Sequence, residues 1–407
     1  MIKFSHLADC HIGSWRDQKI TELNMQSFAK AIEMSISEKV DFVLIAGDLF
    51  NMSMPSIEYV NKTVQQLMRL KEMGIPVYAI AGSHDFSPSG KTMLKVFESA
   101  GLIVNALQGK VVDGKLMLDP IVLPEKKVLI TGLLGKKGTL ERYYYDAVDY
   151  DDLYRKMHGK EDFFRIFMLH SALTELKPKD LVDMPSQPIS ILPKGFDYYC
   201  AGHVHYRFDS VVEGLGRVVY PGPTFPNNFK ELSDLSTGSF SIVSVSEGKK
   251  MFVQSVPIKM KDVVYLKFDL SFKGPSEAKH IMEHEIDKHD IAGKIVLLKL
   301  KGKMDCGISE FNVKEIVDFC ESKEPFTVMK NTFSLEGKEE DVIARDHGSL
   351  DEIEQKIVSD NFDDPETVLE IISRLSSEKR EGETVPTYEE RIVKDGAHVL
   401  DKITYTD

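Results

Sequence analysis

The sequence predicts an α/β protein built on a largely parallel sheet, or on a mixed sheet within a sandwich. Three observations carry that expectation. Apolar strand-like runs alternate with segments of helical periodicity over the first hundred residues. The runs end in glycine or in polar residues, as strands do where they feed functional loops. The composition, 42% hydrophobic and 28% charged over 407 residues, is that of a globular chain long enough to divide into two or three domains.

The elements follow in order. IKFSHLAD opens as a buried strand ending in polar residues, and LNMQSFAKAIEMSISEK then sets Met25, Phe28, Ile32 and Ile36 three or four apart, a helical stripe. DFVLIAGDLF is the next strand. Residues 56–73 form a second helix, with Pro55 ahead of Ser56 as its start signal and Gly74 as its stop. PVYAIAGSHD repeats the strand-to-loop pattern, which returns in FRIFMLH, FDYYCAGHVH and GRVVYPG. These segments make residues 1–245 one domain. Residues 251–332 change character: VVYLKFDL and KIVLLKL are expected as strands, EAKHIMEHEI and NVKEIVDFCES as helices, in a small second α/β domain. Residues 333–348 read as an acidic linker. In 349–407, SLDEIEQKIV and PETVLEIISRL carry apolar stripes on helices too short to be stable alone, so they should dock on this chain or on a partner. The final GAHVLDKITYTD has enough β-branched and aromatic content for some further ordering.

Composition excludes some classes. Cys10, Cys200, Cys306 and Cys320 are far apart and show no C-x-x-C spacing, which argues against a disulfide scaffold or a structural zinc site and makes a cytoplasmic location the expectation. The opening MIKFSHLADCH lacks the long apolar run of a secretory leader, and no window approaches 18 uninterrupted apolar residues, so no membrane span is expected. The net charge is −13, but 334–407 alone holds 21 acidic against 9 basic residues. The rest is nearly neutral and can approach a polyanion through local lysines or bound cations.

Potential ligands at the ends of the apolar runs are Asp9, His11, Asp48, His84, Asp85, His170, His203 and His205. In an open α/β sheet such residues gather beyond the carboxyl ends of the strands, so segments remote in sequence converge on one cleft. Oxygen and imidazole donors without thiolates suit Mn, Fe, Zn or Mg, and this much imidazole argues against magnesium alone. One ion cannot use them all; a pair bridged by a carboxylate and water can. Each motif also has an ordinary reading. G-D is common in turns, and D-x-H or H-x-H in isolation is seldom a metal site. Their conjunction at successive strand ends carries the inference.

That order, D-x-H, G-D, G-x-H-D, H, G-H-x-H, resembles the calcineurin-like metallophosphoesterases. More narrowly, SHLADCHIG, AGDLFN, AGSHD and AGHVH are similar to the nuclease of the DNA double-strand-break repair complex, called Mre-eleven in archaea and eukaryotes and SbcD in bacteria. The motifs cover residues 1–230, and the layout of capping domain and helical tail extends the likeness over the chain. The resemblance implies a metallophosphoesterase β-sandwich flanked by helices, a small α/β DNA-binding cap and a C-terminal partner-binding segment. It implies two Mn²⁺ per subunit, one held by Asp9, His11, Asp48 and His205, the other by Asp48, His170, His203 and the residue before His84, with a bridging hydroxide as nucleophile. It further implies 3′-to-5′ digestion of duplex DNA, nicking of single strands, a homodimer formed through helices near 56–73 and 91–99, and docking of 349–407 on the coiled-coil base of the Rad-fifty/SbcC ATPase, in a prokaryotic, nucleoid-associated setting.

The chain departs from the family at one ligand. Asn normally precedes the catalytic histidine, and here it is Ser83, a shorter and weaker donor that leaves the second metal weaker or its position open to water. Asn51 stands where some relatives carry a further histidine. His84 is expected to stabilise the transition state or protonate the leaving 3′-oxygen, with Asp85 setting its tautomer; a loop-capping carboxylate is the other reading of Asp85. His6, inside its strand, reads as a core histidine. GLLGKKGTLERYYYD, residues 132–146, fits a DNA contact or a solvated loop equally. Two rival functions remain open: a phosphoesterase for smaller substrates, and a DNA-end tethering subunit whose catalysis Ser83 has weakened.

Overall fold

The computed structural model describes residues 1–87, 90–338, 358–359, 364–377 and 385–403. They fall into two compact units, Met1–Glu336 and Gly337–Asp407.

In chain order the first unit begins β1 (Ile2–Leu7), α1 (Gln18–Ser37), β2 (Phe42–Ala46), α2 (Ile57–Glu72), β3 (Val77–Ile80), α3 (Met93–Ser99) and β4 (Val104–Asn105). The Ser56 hydroxyl caps α2 by accepting from the Tyr59 amide, at the start the sequence signalled; α1 begins five residues ahead of the expected stripe, where the Asp17 carboxylate accepts from the Lys19 and Ile20 amides. A hairpin, β5 (Gly109–Val112) and β6 (Lys115–Leu118), precedes β7 (Ile121–Leu123), β8 (Val128–Gly132), α4 (Arg142–Ala147), α5 (Tyr150–Met157) and β9 (Phe164–His170). Then come β10 (Tyr198–Gly202), β11 (Arg207–Val211), β12 (Arg217–Pro221), α6 (Phe229–Leu235), β13 (Gly238–Val245) and β14 (Met251–Ile258).

These strands form two six-stranded mixed sheets, ordered β14-β13-β1-β2-β3-β4 and β11-β12-β10-β9-β8-β7. In the first sheet β1, β2, β3 and β4 run parallel and β13 and β14 pair antiparallel at one side; in the second β12, β10, β9 and β8 run parallel and both edge strands, β11 and β7, pair antiparallel. The sheets face one another across a core of Phe4, Phe42, Ile80, Ile130, Phe164, Met168 and Tyr198, in which Phe4 and Phe42 stack with centroids 5.0 Å apart. Strand alternation turns Val43, Ile45 and Val77 outward onto Phe28, Ile32 and Leu67. On the second sheet it turns Leu129, Phe167 and Tyr199 onto Tyr145, Leu153 and Met157. Helices thus cover both outer faces of the sandwich, as expected.

The small sheet is β15 (Val263–Asp269), β16 (Ile295–Lys303) and β17 (Thr327–Glu336), all parallel and crossed by α7 (Pro275–Ile286) and α8 (Val313–Glu321). Two corrections to the sequence reading follow. β14 pairs with β13 along its whole length, so Met251–Ile258 belongs to the large sandwich and not to the region of the small sheet. A third strand, β17, runs past residue 332. The small sheet also packs on α1 and α6: Ile295 and Leu297 share a cluster with Ile20, Leu23, Phe225 and Leu232.

In the second unit, α9 (Pro365–Leu375) coincides with the predicted PETVLEIISRL helix and is capped by Asp364 on the Thr367 amide. The longer α10 (Val385–Ile403) takes in residues 396–403 of the segment for which only some order was expected, whose last four positions lie outside the described residues. The two helices meet where Ser377 accepts from Tyr388 Oη and Arg391 Nη1. The expected helix over 349–358 lies outside the described residues but for Val358. No described helix is long and apolar enough to cross a membrane.

Candidate metal centre

Parallel strands in both sheets deliver their carboxyl ends to one edge of the sandwich. Asp9 and His11 follow β1, Asp48 follows β2, Ser83, His84 and Asp85 follow β3, His170 ends β9, and His203 and His205 follow β10. The loops after β1 and β2 stay zipped beyond the sheet, with Asp9 N donating to Gly47 O, His11 N to Asp48 O and Ile12 N to Leu49 O. To turn the side chains inward, the backbone goes left-handed at Asp9 (φ 51°), His11 (φ 42°), Asp48 (φ 49°) and His203 (φ 95°). For residues other than glycine this conformation is uncommon and is held only where surroundings enforce it.

The glycines in AGD and AGS have a steric reason. A Cβ on Gly47, itself at φ +85°, would lie 2.3 Å from His170 Nδ1, and one on Gly82 would lie 2.3 Å from Asp48 Oδ1.

All eight ligand candidates read from the strand ends lie at this edge. The donor atoms of seven of them, all but Asp85, form three overlapping groups: Asp9, His11 and His205; His11, Asp48 and His84; and Asp48, His170 and His203. His11 Nε2 is 3.0 Å from His205 Nε2, and Asp48 Oδ2 is 3.1 Å from His170 Nε2 and 3.6 Å from His11 Nε2. Asp48 serves two groups, as the carboxylate bridging a pair of ions must; His11 also lies in two groups but has a single lone pair to give one ion. The imidazoles are oriented from behind. His170 Nδ1 faces Ala46 O at 2.8 Å, His205 Nδ1 faces Glu231 Oε1 at 2.9 Å, and His84 Nδ1 faces Asn51 O at 2.9 Å. Each of these rings thereby keeps Nε2 for another partner.

The residues fit a cation on two grounds. The donor set is carboxylate and imidazole, and Asp9 Oδ2 is fully buried with no hydrogen-bond partner among the described residues. Burial raises the Asp9 pKa, a cost that a cation at the free oxygen would relieve. The histidines divide. Burial pushes His11 well below the imidazole range and His203 to about 3. Burial opposes charge on His170 and His205 too, but Asp48 beside the one and Glu231 beside the other lift them to about 10 and about 9. Without metal, protons on these two rings balance the acidic cluster, and metal must displace them.

Other expectations meet the structure as follows. Asp85 does not touch the His84 ring: its oxygens accept from the amides of Gly82 at 2.9 Å, Phe50 at 3.2 Å and Leu49 at 3.4 Å. It is the loop-capping carboxylate, and the Asn51 carbonyl orients His84 in its place. Burial and the Asp48 charge push Asp85 up to about 7. Ser83 is buried and donates from Oγ to Asp48 Oδ2 at 3.3 Å. His6 lies between the sheets, bonded to Tyr198 Oη and Ala201 O, and burial holds it near 3. The tyrosines of 132–146 split: Tyr145 is core, Tyr143 is exposed, and the Tyr144 ring lies under Lys136. Glu231 was missed by motif reasoning. The N-cap pattern Asn228-x-x-Glu231 was legible as a helix start, though not as a contact to His205.

The centre opens into a cleft of about 530 Å³, lined also by Pro178, Leu181, Met184, Asn227 and Lys230.

An α/β sandwich with clustered carboxylate and imidazole donors at one edge defines a metal-dependent hydrolase. Residues 2–207 match the model of the calcineurin-like phosphoesterases, and the chain belongs to that family. Among curated proteins it is 29% identical over 248 residues to the DNA double-strand break repair protein Mre11 of Archaeoglobus fulgidus, covering 58% of this chain and 52% of that protein. It is 26% identical over 349 residues to the Mre11 of Methanosarcina mazei, covering 84% and 52%. It is 27% identical over 260 residues to the uncharacterized metallophosphoesterase YhaO of Bacillus subtilis, covering 61% and 58%. The chain spans about half the length of these curated relatives.

Proposed function

We propose that this chain is a DNA phosphodiesterase of the Mre11 and SbcD kind, a manganese-dependent 3′-to-5′ duplex exonuclease and single-strand endonuclease. The observation that carries the reading is the set of three donor groups sharing His11 and Asp48; repeated similarity to proteins named for double-strand-break repair supports the substrate. Asp9, His11, Asp48 and His205 would hold one Mn²⁺, and Asp48, His170 and His203 the other, with Ser83 beside it. Bound as a pair, such ions supply Lewis acidity that activates water and offsets charge on the phosphoryl oxygens.

The remaining work belongs to the side chains. His84, with Nδ1 committed to the Asn51 carbonyl, turns Nε2 to the cleft it lines and stabilises charge on the reacting phosphate or gives a proton to the leaving 3′-oxygen. Its own amide donates to Asp48 Oδ1 at 2.7 Å, so the loop that presents the histidine also orients the shared carboxylate. Asp85, through its amide contacts, fixes the turn that presents both.

Exposed Ile57, Met68 and Val96 on α2 and α3 support a homodimer through those helices. The paired helices of the acidic tail support docking of 349–407 on a coiled-coil ATPase of the Rad50 and SbcC kind, with apolar contact and electrostatic steering combined. The similarity to prokaryotic relatives supports a cytoplasmic, nucleoid-associated protein.

Manganese-dependent release of nucleotides from linear duplex DNA tests the function. The expected result is release that His84→Gln abolishes while calorimetric Mn²⁺ uptake persists. Hydrolysis of small phosphate esters with none of DNA would reassign the chain to another phosphoesterase activity. A second reading, a tethering subunit with weakened catalysis, draws on the Ser83 hydroxyl facing Asp48 and is separated by Ser83→Asn.

A further inference from the structure

Glu231 lies in the first turn of α6, 26 residues beyond His205. Its Oε1 faces His205 Nδ1 at 2.9 Å and accepts from Asn228 Nδ2 at 2.5 Å, while Oε2 accepts from the Asn227 amide at 2.7 Å. Its own amide donates to the N-cap oxygen of Asn228 at 2.9 Å. The carboxylate is therefore held from both oxygens, and the helix beneath it is held as well. Leu232 is fully buried beside Ile295 and Leu297 of the small sheet, and the Phe229 ring meets Tyr265 edge-on at 6.4 Å.

On the far side of the His205 ring, Nε2 is 3.0 Å from His11 Nε2 and 3.9 Å from Asp9 Oδ1. An imidazole whose Nδ1–H donates to a carboxylate presents Nε2 as a lone pair of raised basicity, and its orientation is fixed.

We propose that Glu231 is a positioning residue of the metal centre, holding His205 in the Nδ1–H tautomer so that Nε2 ligates the ion shared with Asp9 and His11. The role rests on the two-ion reading of the centre and not on DNA being the substrate. It differs from plain helix capping, in which a glutamate at this position satisfies only backbone amides. It also places one determinant of metal affinity on a helix wedged against the small sheet, outside every motif of the phosphoesterase pattern.

The test is Mn²⁺ titration by calorimetry on the full chain, on Glu231→Gln and on Glu231→Ala, with ¹⁵N-histidine NMR reading the His205 tautomer in the metal-free proteins at a pH above the value of about 9 at which the ring loses its second proton. The expected result is a roughly 10- to 100-fold loss of affinity for one of two ions, the other unchanged, with the Nδ1–H signal of His205 lost in Glu231→Ala and weakened in Glu231→Gln. Equal uptake by both variants and the unaltered chain overturns the role. So does lost affinity with the Nδ1–H tautomer intact, which assigns the effect to α6 alone. Should Glu231→Ala not fold, Glu231→Gln, which keeps one acceptor oxygen, decides by the same two readouts. An unaltered chain that takes up no Mn²⁺ overturns the centre and this role with it.

Discussion

Gly82→Ala is the sharpest perturbation the geometry offers, because it adds one methyl group and changes no ligand. The backbone at Gly82 is not left-handed, so the cost is steric. The new Cβ would stand 2.3 Å from Asp48 Oδ1 and 2.4 Å from Asp48 N. Relief to an ordinary contact requires the two loops to part by about 1 Å, and a displacement of that size at a reacting centre costs roughly 100-fold in rate. Overpacking adds about 1–3 kcal/mol of destabilisation. Asp48 belongs to two of the three donor groups, so both ions should bind more weakly. The assays are Mn²⁺ titration, hydrolysis of an aryl phosphodiester and of linear duplex DNA at saturating metal, and thermal melting. Gly274→Ala is the control, since a Cβ there meets nothing within 4 Å. If Gly82→Ala turned over within about threefold of the unaltered chain and bound metal equally well, Asp48 would not be the shared ligand, since a difference that small is under 1 kcal/mol of barrier.

Ser83→Asn restores the usual amide donor beside Asp48; it should tighten the weaker Mn²⁺ and raise turnover at limiting metal, and unchanged values at every metal concentration would remove Ser83 from the centre. Because His170 and His205 sit near 10 and 9 without metal, two protons must leave on loading, so log K for Mn²⁺ should climb with pH between about 6 and 9 by up to about one unit per proton displaced. The same raised values make those two histidines stabilise the metal-free fold fully below about 6.5 and progressively less as pH rises through 9 and 10; melting of chelated protein across that window checks the sign. Phe4→Ala, which empties a fully buried ring stacked on Phe42 between the sheets, should cost about 3–5 kcal/mol in denaturant unfolding.

The strand ends were legible because each joins an apolar run to a ligand within two or three residues, a local pattern that survives without any knowledge of pairing. Met25, Phe28 and Ile32 gave α1 for a similar reason, and Ser56 marked the start of α2. Relations formed across the chain stayed hidden. Two of the three amides that donate to Asp85, those of Leu49 and Phe50, lie more than thirty residues earlier, so sequence adjacency to His84 suggested the wrong neighbour. Glu231 reaches His205 only because α6 packs between the sandwich and the small sheet. The boundary at 251 failed because β14 is an edge strand with alternating exposure, and its pairing with β13 leaves no mark in its own residues. The β5–β6 hairpin did leave one, Asp113-Gly114 between apolar runs, which a turn search would have found.

The left-handed turns at Asp9, His11, Asp48 and His203 also limit how this centre could be re-engineered for another cation. Aspartate, asparagine and histidine tolerate such backbone better than most residues, and branched or bulky side chains do not. Any exchange of donors at these four corners is therefore confined to a short alphabet, whatever the preference of the incoming metal.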